Sequence, residues 1–144
     1  MLRFPIIHPH VLSALASAGH KSLVIVTDAH FAAATALNDK ATIVHAALRS
    51  GSPLVPEVVE LISQAVAIEA LTTMTPSEPA LAAVADEVAM VLPSQIERQT
   101  IDRASFVALT RSADTALCIV TGDTRRFANA ILRIGVTGAE RTVR

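Results

Sequence analysis

His20 stands just before the aliphatic run "SLVIVT", and Asp28 and His30 stand just after it. An imidazole with a reference pKa of about 6.5 can both give and take a proton near neutrality, as general acid–base chemistry requires. The plainer reading of His20 is a helix-terminal histidine favoured by the helix dipole. Asp28 ends that run, where an aspartate can simply form a turn or cap. Asp28 and His30 could share one face, but two ligands without a third nearby fall short of a metal centre, so no metal site is predicted. His8 and His10 sit by a helix start and His45 lies in an apolar strand; all three read as structural or surface residues. Cys118, inside "TALCIVTG", reads as a small buried hydrophobe, and a single cysteine cannot form an internal disulfide. "DTRR", Asp123 to Arg126, is either an anion-binding turn or a solvated charged loop. Asn129, an amide at the start of an apolar strand, must find partners if it is buried. Glycine-rich phosphate loops, His-Glu-x-x-His, paired cysteines and Gly-x-Ser-x-Gly are all absent, which removes the common enzyme signatures.

The elements that must position these groups follow from periodicity. "HPHVLSALASAGH" predicts a short helix with Pro9 in its first turn, a stripe of Val11, Leu12, Leu15 and Ala16, and Gly19 as its C-terminal cap. "SLVIVT" is apolar on both faces, as expected of a strand covered on both sides. "ATIVHAA" predicts a second strand, "PLVPEVVELISQAVA" the clearest helix, and "IEALTTM" a further strand. "SEPALAAVADEVAMVL" and "TIDRASFVALTRSA" predict two more helices. "TALCIVTG" and "FANAILRIGV" close the chain as strands joined by a short connection at Gly122 and Asp123. Helices alternating with strands predict an α/β fold: one layered domain over residues 1–144, a central sheet flanked by helices.

With 144 residues, a second domain would leave two undersized pieces. Hydrophobic residues make up 51% of the chain and aromatics only 3%, so the core must be aliphatic. So high an apolar fraction in so short a chain predicts association into a homo-oligomer. A net charge of −1 without a basic run argues against nucleic acid or an anionic membrane as partner. "MLRFPIIHP" is too short for a signal peptide and no segment approaches the ~20 apolar residues of a spanning helix, so a cytoplasmic location is expected.

Taken together and in order, "GH" at Gly19–His20, "DAHF" at Asp28–Phe31, "IDRASF" at Ile101–Phe106 and "TGDTRRFANAILRIGV" at Thr121–Val136 resemble the ribose pyranase and fucose mutarotase family. "DAHF" is similar to the fucose branch. The resemblance implies that His20 is the catalytic proton donor and Asp28 a sugar-binding carboxylate. It implies a sugar-binding arginine at Arg103, with Arg98 a competing match that needs a larger insertion, and a sugar contact from Phe127, Ala128 and Asn129. Phe127 and Val107 stand where the family commonly has tyrosines, and "HAALRSG" lacks the family's acidic residue. Two hydroxyl contacts are therefore missing, which should change the preferred sugar or weaken binding.

The implied activity is a cofactor-independent monosaccharide mutarotase acting on L-fucose or a related aldose. Pyranose–furanose exchange of ribose uses the same ring opening, and a non-catalytic sugar-binding homologue is the reading from another class. The implied assembly is a decamer of stacked pentamers. If "SLVIVT" is extended, His20 and Asp28 lie about 20 Å or more apart, too far for one sugar to touch both. Either the chain folds back, or the pocket takes residues from neighbouring subunits, which suits the aliphatic excess.

Overall fold

The structure, a computed structural model, describes residues 1–138. Over those residues helices flank a central sheet, as expected of the α/β fold, and 139–144 lie outside them. Six strands form one mixed sheet: β1 (Leu23–Thr27), β2 (Thr42–His45), β3 (Ile68–Met74), β4 (Glu97–Ile101), β5 (Thr115–Val120) and β6 (Ala130–Ile134). Their order is β2-β5-β1-β6-β3-β4. The pairs β1–β5, β2–β5 and β3–β4 are parallel, whereas β6 runs antiparallel to both β1 and β3. Five strands therefore point the same way, and their carboxyl ends share one edge of the sheet with the start of β6.

Helices cover both faces: α1 (Pro9–Ser17), α3 (Val55–Ala65) and α4 (Ala83–Met90) on one, α2 (Ala33–Ala36) and α5 (Arg103–Thr110) on the other. The alternation along β1 shows why. Val24 and Val26 join the cluster with Leu15, Val59, Ile62 and Val88, while Leu23 and Ile25 join Ala33, Phe106 and Cys118 on the opposite face. Both faces are apolar because both are covered, and all five residues of β1 are buried. Phe106 is the largest fully buried side chain, and burying a group of that size contributes about 1.5–3 kcal/mol. Cys118 belongs to the same cluster, its thiol pushed up to about 12 by burial, so it is an inert core residue at neutral pH.

Three local expectations are corrected. Pro9 is the first residue of α1, but the left-handed residue beyond its end is Lys21 (φ 71°), whereas Gly19 keeps an ordinary φ. The helix expected from "TIDRASFVALTRSA" starts only at Arg103, after Asp102 caps it by accepting from the Ser105 N–H at 2.8 Å. The residues before it form β4, an edge strand exposed over nearly its whole length and so lacking an apolar pattern. Finally, the connection from β5 to β6 is longer than the short one expected at Gly122 and Asp123, and it passes β1, which lies between the two strands. Residues 121–129 carry the chain over the end of β1, which places the "DTRRFAN" segment against Asp28. Gly122 is required on this path, because a Cβ there would strike the backbone oxygens of Ser52 and Arg49.

Candidate functional site

Asp28 follows the last residue of β1 and is 4% exposed. Its Oδ1 accepts from the His30 N–H at 2.9 Å and its Oδ2 accepts from Asn129 Nδ2 at 3.2 Å, while its own N–H donates to Asn129 Oδ1 at 3.2 Å. Asn129 thus grips Asp28 from both sides, which answers the demand of a buried amide for partners. Burial raises the Asp28 pKa; the bond from the His30 N–H, the His30 ring and the Asn129 amide oppose it without cancelling it. Each carboxylate oxygen keeps free acceptor capacity after these bonds.

Asp28 opens into a cavity of about 330 Å³ at the carboxyl edge of the sheet, also lined by Met74 at the end of β3, Arg103 at the start of α5, and Phe127 and Asn129 ahead of β6. Crevices outside strand carboxyl ends are where open α/β sheets bind ligands. Phe127 adopts φ 62°, a left-handed backbone costing about 1–2 kcal/mol for a bulky residue. That turn directs Phe127 and Asn129 to the cavity. Ala128 points the other way: its side chain is fully buried in the aliphatic core and does not line the cavity.

The "DTRR" segment splits by function. Asp123 is fully buried and clamped by Arg125 Nη2 at 2.9 Å, while its Oδ2 also accepts from the Val55 N–H at 3.1 Å, closing the start of α3. Burial raises the Asp123 pKa, but the Arg125 bonds and the backbone N–H groups of Val55 and Arg125 outweigh it, leaving this carboxyl below the usual range. Arg125 also pairs with Glu87 at 2.8 Å. His30, whose ring bonds the Thr124 carbonyl at 2.9 Å, and the Ala29 N–H, which donates to the Asp123 carbonyl at 2.8 Å, lace the end of β1 to this segment.

His20 lies elsewhere. It precedes β1, at the opposite edge of the sheet, in a depression of about 570 Å³ shared with His10, Lys40 and Asp114. Seven residues, including the whole of β1, lie between it and Asp28, a separation on the order of 20 Å. The chain does not fold back, so within one chain the structure unites Asp28, Arg103, Phe127 and Asn129 and leaves His20 apart. Its ring, 44% exposed, bonds Glu69 Oε2 through Nε2 at 3.0 Å. A carboxylate only accepts, so Nε2 carries the proton and Nδ1 is the free lone pair of the neutral ring. Glu69 is held in turn by Arg133 Nε at 2.6 Å, and Arg133 by Glu97 at 3.0 Å. The bonds from His20 and Arg133 outweigh partial burial and hold the Glu69 pKa below the usual range. Lys21, next to His20, is the other non-glycine residue with positive φ among the described residues, so left-handed turns adjoin both halves of the arrangement.

Arg98, the competing match, donates to the Ala89, Leu92 and Pro93 carbonyls at the end of α4 and is not on the Asp28 cavity. Sequence reasoning missed Glu69, and it missed Arg111 on the cavity wall, where Arg126 of the "DTRR" segment also lies. Glu69 had one signal, a carboxylate near the start of the apolar "IEALTTM". Among the described residues no three His, Cys, Asp or Glu gather to hold a metal ion, and no helix is long and apolar enough to cross a membrane.

Known structures share this architecture. The chain is similar to Bacillus subtilis RbsD in complex with D-ribose (22% identity, TM-score 0.83, covering 96% of this chain and 100% of that one). It is also similar to the fucose mutarotase from Streptococcus pneumoniae in complex with L-fucose (17% identity, TM-score 0.75, 96% and 100% covered). FucU from Bifidobacterium longum matches at 20% identity and a TM-score of 0.71, with 92% of this chain and 97% of that one covered. No curated protein matches the sequence. The model of the RbsD / FucU transport protein family matches residues 1–137, nearly the whole chain, and the chain belongs to that family.

Proposed function

We propose that this protein is a cofactor-independent sugar mutarotase, acting on L-fucose or a related aldose, whose site is completed between copies of the chain. The observation that carries this reading is the division of the site. A sugar-sized cavity with a buried carboxylate, an amide and an arginine sits at one edge of the sheet, while the only solvent-facing imidazole braced by a carboxylate among the described residues sits at the other. A ring of copies, in the proposed assembly a decamer of stacked pentamers in the cytosol, brings His20 of one copy to the cavity of the next. Two solved relatives that hold D-ribose and L-fucose support a monosaccharide as ligand.

The chemistry asks little of such a site. A proton is delivered to the ring oxygen as the anomeric hydroxyl loses one, the ring C–O bond breaks, and the open-chain aldehyde recloses on either face. Asp28 and Asn129 hold hydroxyls still and Arg103 donates to oxygen. The free Nδ1 of His20 takes and returns the proton, an assistance worth ~10²–10⁴ in rate. Glu69 is a positioning residue that fixes the ring and its tautomer. Saturation-transfer NMR across a panel of aldoses tests the reading. Accelerated exchange between the anomers of at least one sugar is expected, and binding without exchange in any sugar would identify a sugar-binding homologue instead.

Glu69→Gln has a specific expected signature. The single amide oxygen turns to Arg133 and the NH2 faces His20, so the His20 proton moves from Nε2 to Nδ1. The kcat should fall about 10- to 100-fold with KM little changed, as expected when a base is held in the wrong tautomer. Imidazole ¹⁵N shifts of His20 should report the tautomer switch; an unchanged tautomer with unchanged kcat would remove Glu69 from the mechanism.

A further inference from the structure

Of the eight arginines among the described residues, two pair with carboxylates. Arg125 pairs with Asp123 and Glu87, and Arg133 pairs with Glu69 and Glu97. The cavity around Asp28 gathers three of the others: Arg103, Arg111 and Arg126 all line it, and none pairs with a carboxylate among the described residues. Arg111 makes a hydrogen bond to the Thr35 carbonyl at 3.3 Å, and the Arg126 guanidinium lies 5.6 Å from the centre of the Phe127 ring. The nearest carboxylate in sequence, Asp102, is committed to the Ser105 N–H and hydroxyl at 2.8 and 3.1 Å. Three positive charges thus face one negative charge in a cleft, on a chain whose net charge is −1.

A neutral sugar leaves that imbalance unanswered. Its hydroxyls are satisfied by Asp28, Asn129 and one arginine, and the phenyl ring of Phe127 offers none of the hydroxyl hydrogen bonding that would read a further neutral group. A phosphate or carboxylate on the sugar would accept from the planar guanidinium forks in pairs, the geometry arginine suits best. A cleft of one sign also concentrates ligands of the other. We propose that the aldose bound here carries an anionic group, a carboxylate or a phosphate, which Arg111 and Arg126 receive together with Arg103 while Asp28 and Asn129 hold the sugar hydroxyls. This rests on the reading of the cavity as an aldose site.

The test compares matched ligands on the full-length protein in its native assembly. Calorimetric titration is run with the neutral sugar, the uronate and the terminal phosphate in the galacto and gluco series, and with ribose against ribose 5-phosphate, and anomer exchange is read by saturation transfer on the same samples. In at least one series a charged member should bind about 10-fold or more tighter than its neutral parent, the scale of one additional charge-assisted hydrogen bond. Whether the uronate or the phosphate leads identifies the anion. The advantage should shrink with added salt, which shortens the Debye length to about 8 Å at 0.15 M. It should fall at least about threefold in Arg111→Gln and in Arg126→Gln, both exposed positions that leave the core intact. Neutral sugars binding as well as their charged partners in every series, or an advantage unchanged in both variants, would overturn the proposal while leaving neutral-sugar mutarotation standing. A charged preference without exchange in any sugar would uphold the anionic site and remove the mutarotase reading.

Discussion

An equimolar mixture of His20→Asn and Asp28→Asn chains, unfolded and reassembled together, is expected to exchange anomers although neither variant does so alone. Each single variant should lose about 10²–10⁴ in rate or most of its sugar binding, since one lacks the proton carrier and the other the carboxylate that holds the substrate. With about 20 Å between the two residues, one monosaccharide cannot touch both within a chain. If each site takes its carboxylate from one copy and its imidazole from another, random reassembly leaves about a quarter of sites with both groups intact. Recovery of roughly that fraction of wild-type activity is the expected outcome. A mixture as inactive as its components would show both residues acting from the same chain, which the strand between them forbids, and a His20→Asn chain active on its own would show that His20 takes no part. His20 is half exposed, so its replacement leaves the core intact; asparagine preserves the shape of Asp28 but sets its NH2 against the His30 N–H or the Asn129 amide, so the melting curve of each variant is the control for folding.

How far this arrangement was legible in the sequence depends on the kind of contact involved. β1 and α3 could be read directly because their burial is complete or strictly periodic: five buried residues in a row in one, and Val55, Val58, Val59 and Ile62 on a single face in the other. β4 could not, since it pairs only with β3 and faces solvent along most of its length, so nothing constrains its side chains to be apolar. Insertion of β6 between β1 and β3 is a matter of sheet order, which local pattern does not encode. The consequence was functional, because that order sends residues 121–129 across the end of β1 and sets Asn129 on Asp28. Strand arithmetic alone separated His20 from Asp28. The partners that matter most to each, Glu69 and Asn129, lie 49 and 101 residues away and needed coordinates. Arg111 escaped notice for a related reason: the resemblance supplied Arg103 and the "DTRR" turn supplied Arg126, but with Arg111 these come from both ends of a helix and a distant connection, and only the fold makes the three one patch.

Sugar affinity is expected to fall on acidification through the titration of Asp28, while the stability of the free protein responds to the same group with the opposite sign. Burial raises the pKa of this carboxyl above its ordinary 3.8, against the bond from the His30 N–H, the His30 ring and the Asn129 amide. Hydroxyls that donate to the carboxylate favour its ionised form, so binding is full near neutral pH and weakens as pH falls through the raised value, by up to tenfold per pH unit below it. In Asp28→Asn this dependence should vanish. Affinity at pH 7 should be lower by about 10- to 100-fold, the scale of a charge-assisted hydrogen bond lost. For the unliganded fold, a pKa raised above the unfolded value means that the contribution of Asp28 to stability is present in acid and lost as pH rises through the folded value. The melting temperature of the wild type relative to Asp28→Asn should therefore improve as pH is lowered. A carboxylate that served only to turn the chain at the end of β1 would show the stability trend without the binding trend. Calorimetric titration and thermal melts of both proteins between pH 7 and the acid limit separate the two roles, and a sugar affinity indifferent to the substitution would remove Asp28 from the site.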